Sequence, residues 1–307
     1  FVRLLDLFHG ERKDAVCKRM LQAAAAKGGA IHDPVLAHTL LDVARQLHDS
    51  LDYLSPPEER ARVGELIAKL IARIDYGRDL ERHLEMLSDA RRSFRELDAP
   101  RQAVCASAIA LTRRALLLVR GRHSKRTQAF LKTALSFIHI SIPAIDRPDT
   151  RVRFFLDAAS AALANNCDAQ ADGMVLTAAK ELEAIAEAGA REGRSDWEVL
   201  ALDCARQILG FAILAPGHPE KGPFHLIRTV LLNVERGEWE VTQGNSTRVY
   251  LAAYSAVAAL TQTPLPYHVP GAPANDTLYE GDPAYEEESQ ALADEIISKV
   301  LSHLSDL

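Results

Sequence analysis

Two histidine–aspartate pairs, His32-Asp33 and His48-Asp49, are the residues whose types come nearest to catalytic metal chemistry. An all-α metal-dependent phosphohydrolase needs separated His ligands and a His-Asp pair converging at about 2 Å from one ion. The local pattern argues against that use. Asp33 stands directly before Pro34 at the head of an apolar periodic run, where a short acidic side chain caps a helix, and Asp49 falls away from the leucine face of that run. The local fingerprints GxxxxGK[ST], GxGxxG, GxSxG and HExxH are also missing from the sequence, which removes the usual signals for nucleotide, hydrolase and zinc-protease chemistry. No catalytic, cofactor-binding or metal-ligating residue is assigned, and the chain reads as a non-enzyme.

Recognition chemistry is better represented. Arg113, Arg114, Arg120, Arg122, Lys125 and Arg126 fall within fourteen residues, enough for a local positive patch facing a phosphate or an acidic partner. The competing reading is a solvated turn whose cations favour the carboxy-terminal end of the preceding helix. The candidate partner contacts here are Arg122, His123, Lys125 and Arg126. Nucleic acid is not the expected partner, because no aromatic side chain is interleaved to stack bases. Two further loops carry specific chemistry: His218-Pro219-Glu220-Lys221-Gly222, offering His218 and Glu220, and Asn275-Asp276-Thr277-Leu278-Tyr279, offering Asn275 and Tyr279. Loops held by a rigid scaffold are where recognition residues concentrate, although Pro and Gly in the first also serve simply to set chain direction.

The elements that position these residues are helical throughout. Aromatics make up only 6% of the chain while Ala and Leu abound, a bias towards helix because unbranched side chains lose little rotamer freedom there. Net charge is −6, so no global basic field draws the chain to nucleic acid or an anionic membrane. Cys17, Cys105, Cys167 and Cys204 are widely spaced with no CxxC, the pattern of buried thiols in a reducing compartment rather than of disulfides. The longest apolar run, residues 251–260, is far short of the roughly 20 residues of a membrane span, so no span is expected. The chain opens at Phe1 without an initiator Met, so residues 1–307 read as one fragment cut from inside a longer polypeptide. The triplets Asn245-Ser246-Thr247 and Asn275-Asp276-Thr277 read as helix-entry and turn chemistry rather than glycosylation sites.

In order, residues 1–10 are expected to be the end of a truncated helix, with helices following over residues 11–27, 34–54, 56–74, 78–97, 102–119, 124–142, 150–165, 168–191, 197–214, 224–239, 247–261 and 283–307. Their signals are Asp33-Pro34 and Asp282-Pro283 as cap-and-proline starts, and Ser55-Pro56-Pro57-Glu58 and Ser195-Asp196-Trp197-Glu198 as capping boxes. Asp168 is expected to cap the helix after the Asn165-Asn166 turn, Asp98-Ala99-Pro100 to end one helix, and the segment 102–119 to be covered by neighbours on most sides. Residues 216–223 form a rigid connector and 264–281 a long irregular insertion. About twelve helices in antiparallel hairpins make an all-α protein, an α-solenoid of HEAT-like type, although no residue signature recurs at the period of about 40 to 45.

An ordered set of segments then resembles a known family. Asp33-Pro34-Val35-Leu36, His48-Asp49-Ser50, Tyr76-Gly77-Arg78-Asp79, His123-Ser124-Lys125-Arg126-Thr127, residues 162–172, His218-Pro219-Glu220 and Asn275-Asp276-Thr277-Leu278-Tyr279 look like the carboxy-terminal half of the vacuolar protein sorting thirty-five-like family. These are the large subunits of the Retriever complex. The resemblance implies a cytoplasmic, endosome-peripheral, non-enzymatic solenoid that scaffolds cargo recycling to the cell surface. Its carboxy-terminal part would curl around the vacuolar protein sorting twenty-nine subunit, of metallophosphoesterase-like fold. An arrestin-like subunit of vacuolar protein sorting twenty-six type and the CCC complex of coiled-coil and COMM-domain proteins would complete the Commander assembly, working with a sorting nexin. The related retromer large subunit is the nearest alternative.

Overall fold

A computed structural model describes residues 5, 7–51, 55–193, 196–237, 239 and 244–305. The fold is all-α. Among the described residues there are thirteen α-helices, one 3₁₀ turn at Ile142–Ala144 and no strand, the only extended pairings being isolated bridges. The helices are α1 Glu11–Ala26, α2 Pro34–Asp49, α3 Pro57–Arg73, α4 Leu80–Ser93, α5 Asp98–Val119, α6 Lys125–Ser141, α7 Pro148–Ala164, α8 Asp168–Glu192, α9 Trp197–Leu214, α10 His225–Arg236, α11 Asn245–Leu260, α12 Asn275–Leu278 and α13 Pro283–Ser305. Contacts divide the chain into two compact units, meeting in sequence between Asp146 and Arg147. Inside each unit a helix packs on its neighbour or on the next but one, as a helical-hairpin array requires.

In the first unit α2 begins as its sequence dictates. Asp33 Oδ1 accepts from the Val35 N–H at 2.9 Å, and Pro34 fills the first helical position, where its missing N–H costs nothing. Leu40, Val43 and Leu47 are buried; Leu36 at the first turn is exposed, and Leu54 lies outside the described residues. The capping box expected at Ser55 does not form. α3 starts at Pro57, Pro56 occupies the cap position in an extended conformation, and no side chain caps the helix. A residue before proline is kept out of the α region, so the second proline delays the helix by one residue.

Asp98-Ala99-Pro100 opens α5 instead of ending α4, which stops at Ser93. Proline is compatible there because the first-turn N–H groups have no intrahelical acceptor to lose. Asp98 also accepts from Gln102 Nε2 at 2.6 Å and from the Asp146 N–H at 2.9 Å. α5 is less enclosed than its sequence implies. Val104, Cys105, Ala108, Ile109, Leu111 and Ala115 are buried towards α3, α4 and α6, but Leu117 and Leu118 at the far end are exposed. By length and composition alone α5 would reach across a membrane, which the 251–260 run did not foretell. Its buried face on three partner helices, and Arg101, Arg113 and Arg114 within it, mark it as a core helix.

In the second unit α7 and α8 form a tight hairpin. Asn166 adopts the left-handed conformation with φ 57°, and the Cys167 and Asn166 N–H groups return to the Ala162 and Leu163 carbonyls, each at 3.0 Å. These bonds close α7 in the Schellman manner. The turn is so short that α8 starts at Asp168 itself, with the Cys167 carbonyl accepting from Ala171 at 3.0 Å. Asp168 is therefore not the cap; one of its carboxyl oxygens is buried without a partner. The second expected capping box rests on Ser195, which lies outside the described residues; Asp196 at the cap position makes no side-chain cap, and Glu198 is buried, accepting from Asn245 Nδ2 at 2.8 Å. α10 ends at Arg236, short of Trp239. Asp282 does cap α13, accepting from the Ala284 N–H at 3.0 Å.

The four cysteines are free; Cys17, Cys105 and Cys204 are buried and Cys167 is half-buried. Burial pushes the Cys105 and Cys204 thiols up to about 12.

Candidate partner-docking site

Three of the segments singled out in the sequence meet in the second unit: the α7–α8 turn, the connector after α9, and the insertion before α13. Asn275 joins two of them. Its Nδ2 donates to the Ala215 carbonyl at 3.2 Å and its Oδ1 accepts from the Gly217 N–H at 2.7 Å, so a side chain that is only 2% exposed holds both sides of the connector. Asn275 is an internal brace, and its amide is occupied inside the chain. Asp276 holds the insertion, accepting from the Leu265 N–H at 2.8 Å and pairing with His268 at 3.0 Å. Gly271 passes so close to Asn166 that a Cβ there would lie 2.8 Å from its Oδ1.

The connector folds back on itself. His218 and Gly222 exchange backbone hydrogen bonds at 3.2 and 3.0 Å, and His218 Nδ1 accepts from the Glu220 and Lys221 N–H groups at 3.1 and 3.2 Å. Glu220 itself is exposed. The His218 ring sits edge-on to His225 with centroids 5.3 Å apart. His225 in turn bonds the Gly222 carbonyl through Nδ1 at 3.1 Å and Asp172 through Nε2. Both partners are oxygens that accept hydrogen bonds. Burial alone would raise the Asp172 carboxyl. The His225 hydrogen bond and the charges of His225, His218 and Lys221 together outweigh it and hold the carboxyl below the usual range. Asp168 has no such help, and burial raises it.

Leu163, Asp168, Asp172, Pro216, His218 and Glu220 line part of a cavity of about 490 Å³ beside this network. Tyr279 covers the other side of the connector. Its ring stacks on Tyr285 at 4.9 Å and 4°, Tyr285 stacks on Phe224 at 5.2 Å and 19°, and the Tyr285 hydroxyl donates to the Leu260 carbonyl at 2.9 Å. Tyr279 is half-buried and burial raises its hydroxyl pKa, with Glu288 and Asp282 adding to the shift. A Cβ on Gly217 would fall 2.3 Å from the Tyr279 hydroxyl oxygen, so glycine is required for this close approach. The arrangement offers hydrogen-bond acceptors and apolar wall to a docking segment. It lacks a nucleophile paired with a base, and among the described residues no three His, Cys, Asp or Glu side chains group as metal ligands. His32 bonds the Asp75 carbonyl at 2.7 Å and His48 bonds Asp49 at 3.1 Å.

The basic turn belongs to the first unit and is less free than its composition implies. Arg114 pairs with Asp75, and Arg126 grips both Glu81 oxygens at 3.1 and 2.9 Å. Arg122 and Lys125 are exposed and carry no ion pair among the described residues. His123 is half-buried, its two ring nitrogens both without a partner. Arg120 takes the left-handed cap of α5 with φ 52°, and Ser124 caps α6, its Oγ accepting from Thr127 N at 3.3 Å. The sequence singled out His218 and Glu220 in one loop and Asn275 and Tyr279 in another; the structure brings the two loops together and adds Asp172, His225 and Tyr285, which the sequence did not mark as site residues. His225 and Asp172 are 53 residues apart, beyond any local spacing rule; the i, i+4 placement of Asp168 and Asp172 on one helix face was the only usable hint.

A family model, VPS35L C-terminal domain, matches residues 1–307. The chain belongs to that family. Relatives agree over the same span. The VPS35 endosomal protein sorting factor-like protein of Dictyostelium discoideum is 29% identical over 99% of this chain and 31% of its own length. The VPS35 endosomal protein-sorting factor-like proteins of Danio rerio and Homo sapiens are 30% and 27% identical over 100% of this chain and 32% of their own lengths. The chain therefore spans about a third of the length of these VPS35-like relatives. The resemblance read from its ordered segments is the family the comparison shows, and the all-α fold accords with it.

Proposed function

We propose that this chain is the carboxy-terminal scaffold region of a Retriever-type large subunit, a non-enzymatic HEAT-like solenoid acting in endosomal protein sorting. The observation that carries this reading is the match of the whole chain, residues 1–307, to the VPS35L C-terminal domain. In the proposed mechanism the helical hairpins hold a compact subunit of metallophosphoesterase-like fold, the vacuolar protein sorting twenty-nine type. An arrestin-like subunit of the twenty-six type binds elsewhere on the longer protein. The assembly then joins the CCC proteins in Commander and returns membrane cargo from endosomes to the cell surface, with the chain cytoplasmic and peripheral on the endosome. A stack of helix pairs supplies the extended, preformed surface such a role needs. Arg122 and Lys125 on the basic turn, and the Asp168–Glu220 cavity, are the surfaces proposed to meet partners.

Co-purification tests the reading. The full-length protein should carry the small metallophosphoesterase-fold subunit through size exclusion as a stoichiometric complex. Elution of the two as separate species at micromolar concentration refutes it.

A further inference from the structure

We propose that the groove between α9 and α11 is a docking site for an acidic amphipathic helix of a partner protein. The Glu198–Asn245 hydrogen bond at 2.8 Å joins the amino-terminal turns of the two helices, and they remain in contact beyond it, so they run side by side in the same direction. Between them lies an open groove of about 470 Å³. Leu209 and Ala256 are buried at its floor, and the small residues Gly210, Ala252 and Ser255 line it together with Ile213 and Leu251. Leu251 is 50% exposed, and a Cβ placed on Gly210 would meet nothing within 4 Å. A lining of this kind admits another backbone closely, and the lined stretch of each helix is about two turns, the length over which a docked helix presents its i, i+3, i+4 and i+7 side chains.

The charge pattern selects the occupant. Arg206 on α9 and Arg248 on α11 line the same groove, one from each side, and both are exposed. Neither has an ion pair among the described residues, whereas Arg151, Arg228 and Lys299 of the same unit are each paired with glutamate. Two unmatched guanidinium groups flanking an apolar trough, in a chain of net charge −6, complement a helix with an apolar stripe edged by carboxylates. The inference does not depend on the small-subunit contact proposed above.

Fluorescence anisotropy on the full-length protein tests it, with a labelled 18-residue Leu/Ala amphipathic peptide edged by glutamates and a matched peptide edged by lysines. The glutamate peptide should bind and the lysine peptide should not. The double variant Arg206→Glu/Arg248→Glu should weaken the glutamate peptide at least tenfold and gain binding of the lysine peptide, while Ser255→Trp, which fills the groove, should weaken the glutamate peptide at least tenfold with unchanged circular dichroism. Equal binding of both peptides, or affinity untouched by the charge reversal, overturns the proposal. A self-association of the full chain that the double variant dissolves also overturns it, because the occupant is then a second copy. Co-elution of the small metallophosphoesterase-fold subunit reports separately on the scaffold reading.

Discussion

Replacing Asn275 with alanine tests the claim that one buried amide organises the candidate site. The side chain is 2% exposed and serves the Ala215 carbonyl and the Gly217 N–H at once. Losing both bonds leaves two backbone groups without their partners, each costing about 1–3 kcal/mol when dry. Ala215 and Gly217 are themselves half-buried, so water reaches them in the variant and the low end applies, giving about 2 kcal/mol for the pair. In a cooperative unit of this size that corresponds to a fall of about 4–8 °C in melting temperature. The loss should be local in origin. With the connector released, the Tyr279 ring loses the backbone it covers at Gly217, and trypsin should cut after the exposed Lys221 several times faster than in the unaltered chain. Calorimetry and a timed digest measure both effects. A shift below about 2 °C together with an unchanged rate of cleavage at Lys221 would refute the bracing role.

Other substitutions separate buried from exposed positions. Val104→Asp places an unpaired charge in a site 1% exposed and should abolish cooperative unfolding of the first unit, while Leu117→Asp, 76% exposed on the same helix, should change stability by no more than about 0.5 kcal/mol; circular dichroism melts decide. His83 is buried, and burial first of all holds its pKa below the ordinary 6.5. The unfolded chain then binds a proton that the folded one refuses, so stability present above pH 6.5 should fall as pH drops towards the folded value, and His83→Leu should flatten urea midpoints across that window. Iodoacetamide should label Cys167 well before Cys105 and Cys204, whose thiols burial pushes up to about 12, because the thiolate is the nucleophile; a mass-spectrometric time course showing equal rates contradicts the burial argument. Arg122→Glu should leave the fold intact and alter partner binding only where the basic turn is a docking surface.

How far the sequence discloses the site follows the range of the forces involved. Helix identity is set locally, by rotamer freedom and apolar periodicity, and Asp33-Pro34 and Asp282-Pro283 are legible because a cap depends on residues only two or three positions apart. Where the helix starts differ from expectation, the causes are mostly neighbours that the cap rules do not weigh. Pro56 is governed by the proline after it, and Glu198 takes part in a bond with Asn245 across 47 residues that no local pattern announces. Asp168 loses its cap role because the Asn165-Asn166 turn is closed by backbone bonds alone. The site residues divide the same way. His218 and Asn275 stood out through loop composition, yet the bracing of their connector turns on contacts spanning up to 60 residues, and the pairing of Asp172 with His225 across 53 residues follows from no local spacing. Arg126 and Arg114 illustrate the converse. Their composition announced a basic patch, but carboxylates brought by other elements neutralise them, leaving Arg120, Arg122 and Lys125 as its exposed cations with no ion pair among the described residues. In a helical array of this kind, sequence identifies the struts, while the docking chemistry is decided by which charges the neighbouring hairpins leave unmatched. Arg206 and Arg248 meet that criterion as Arg122 and Lys125 do, and they alone of the two pairs also flank an apolar groove.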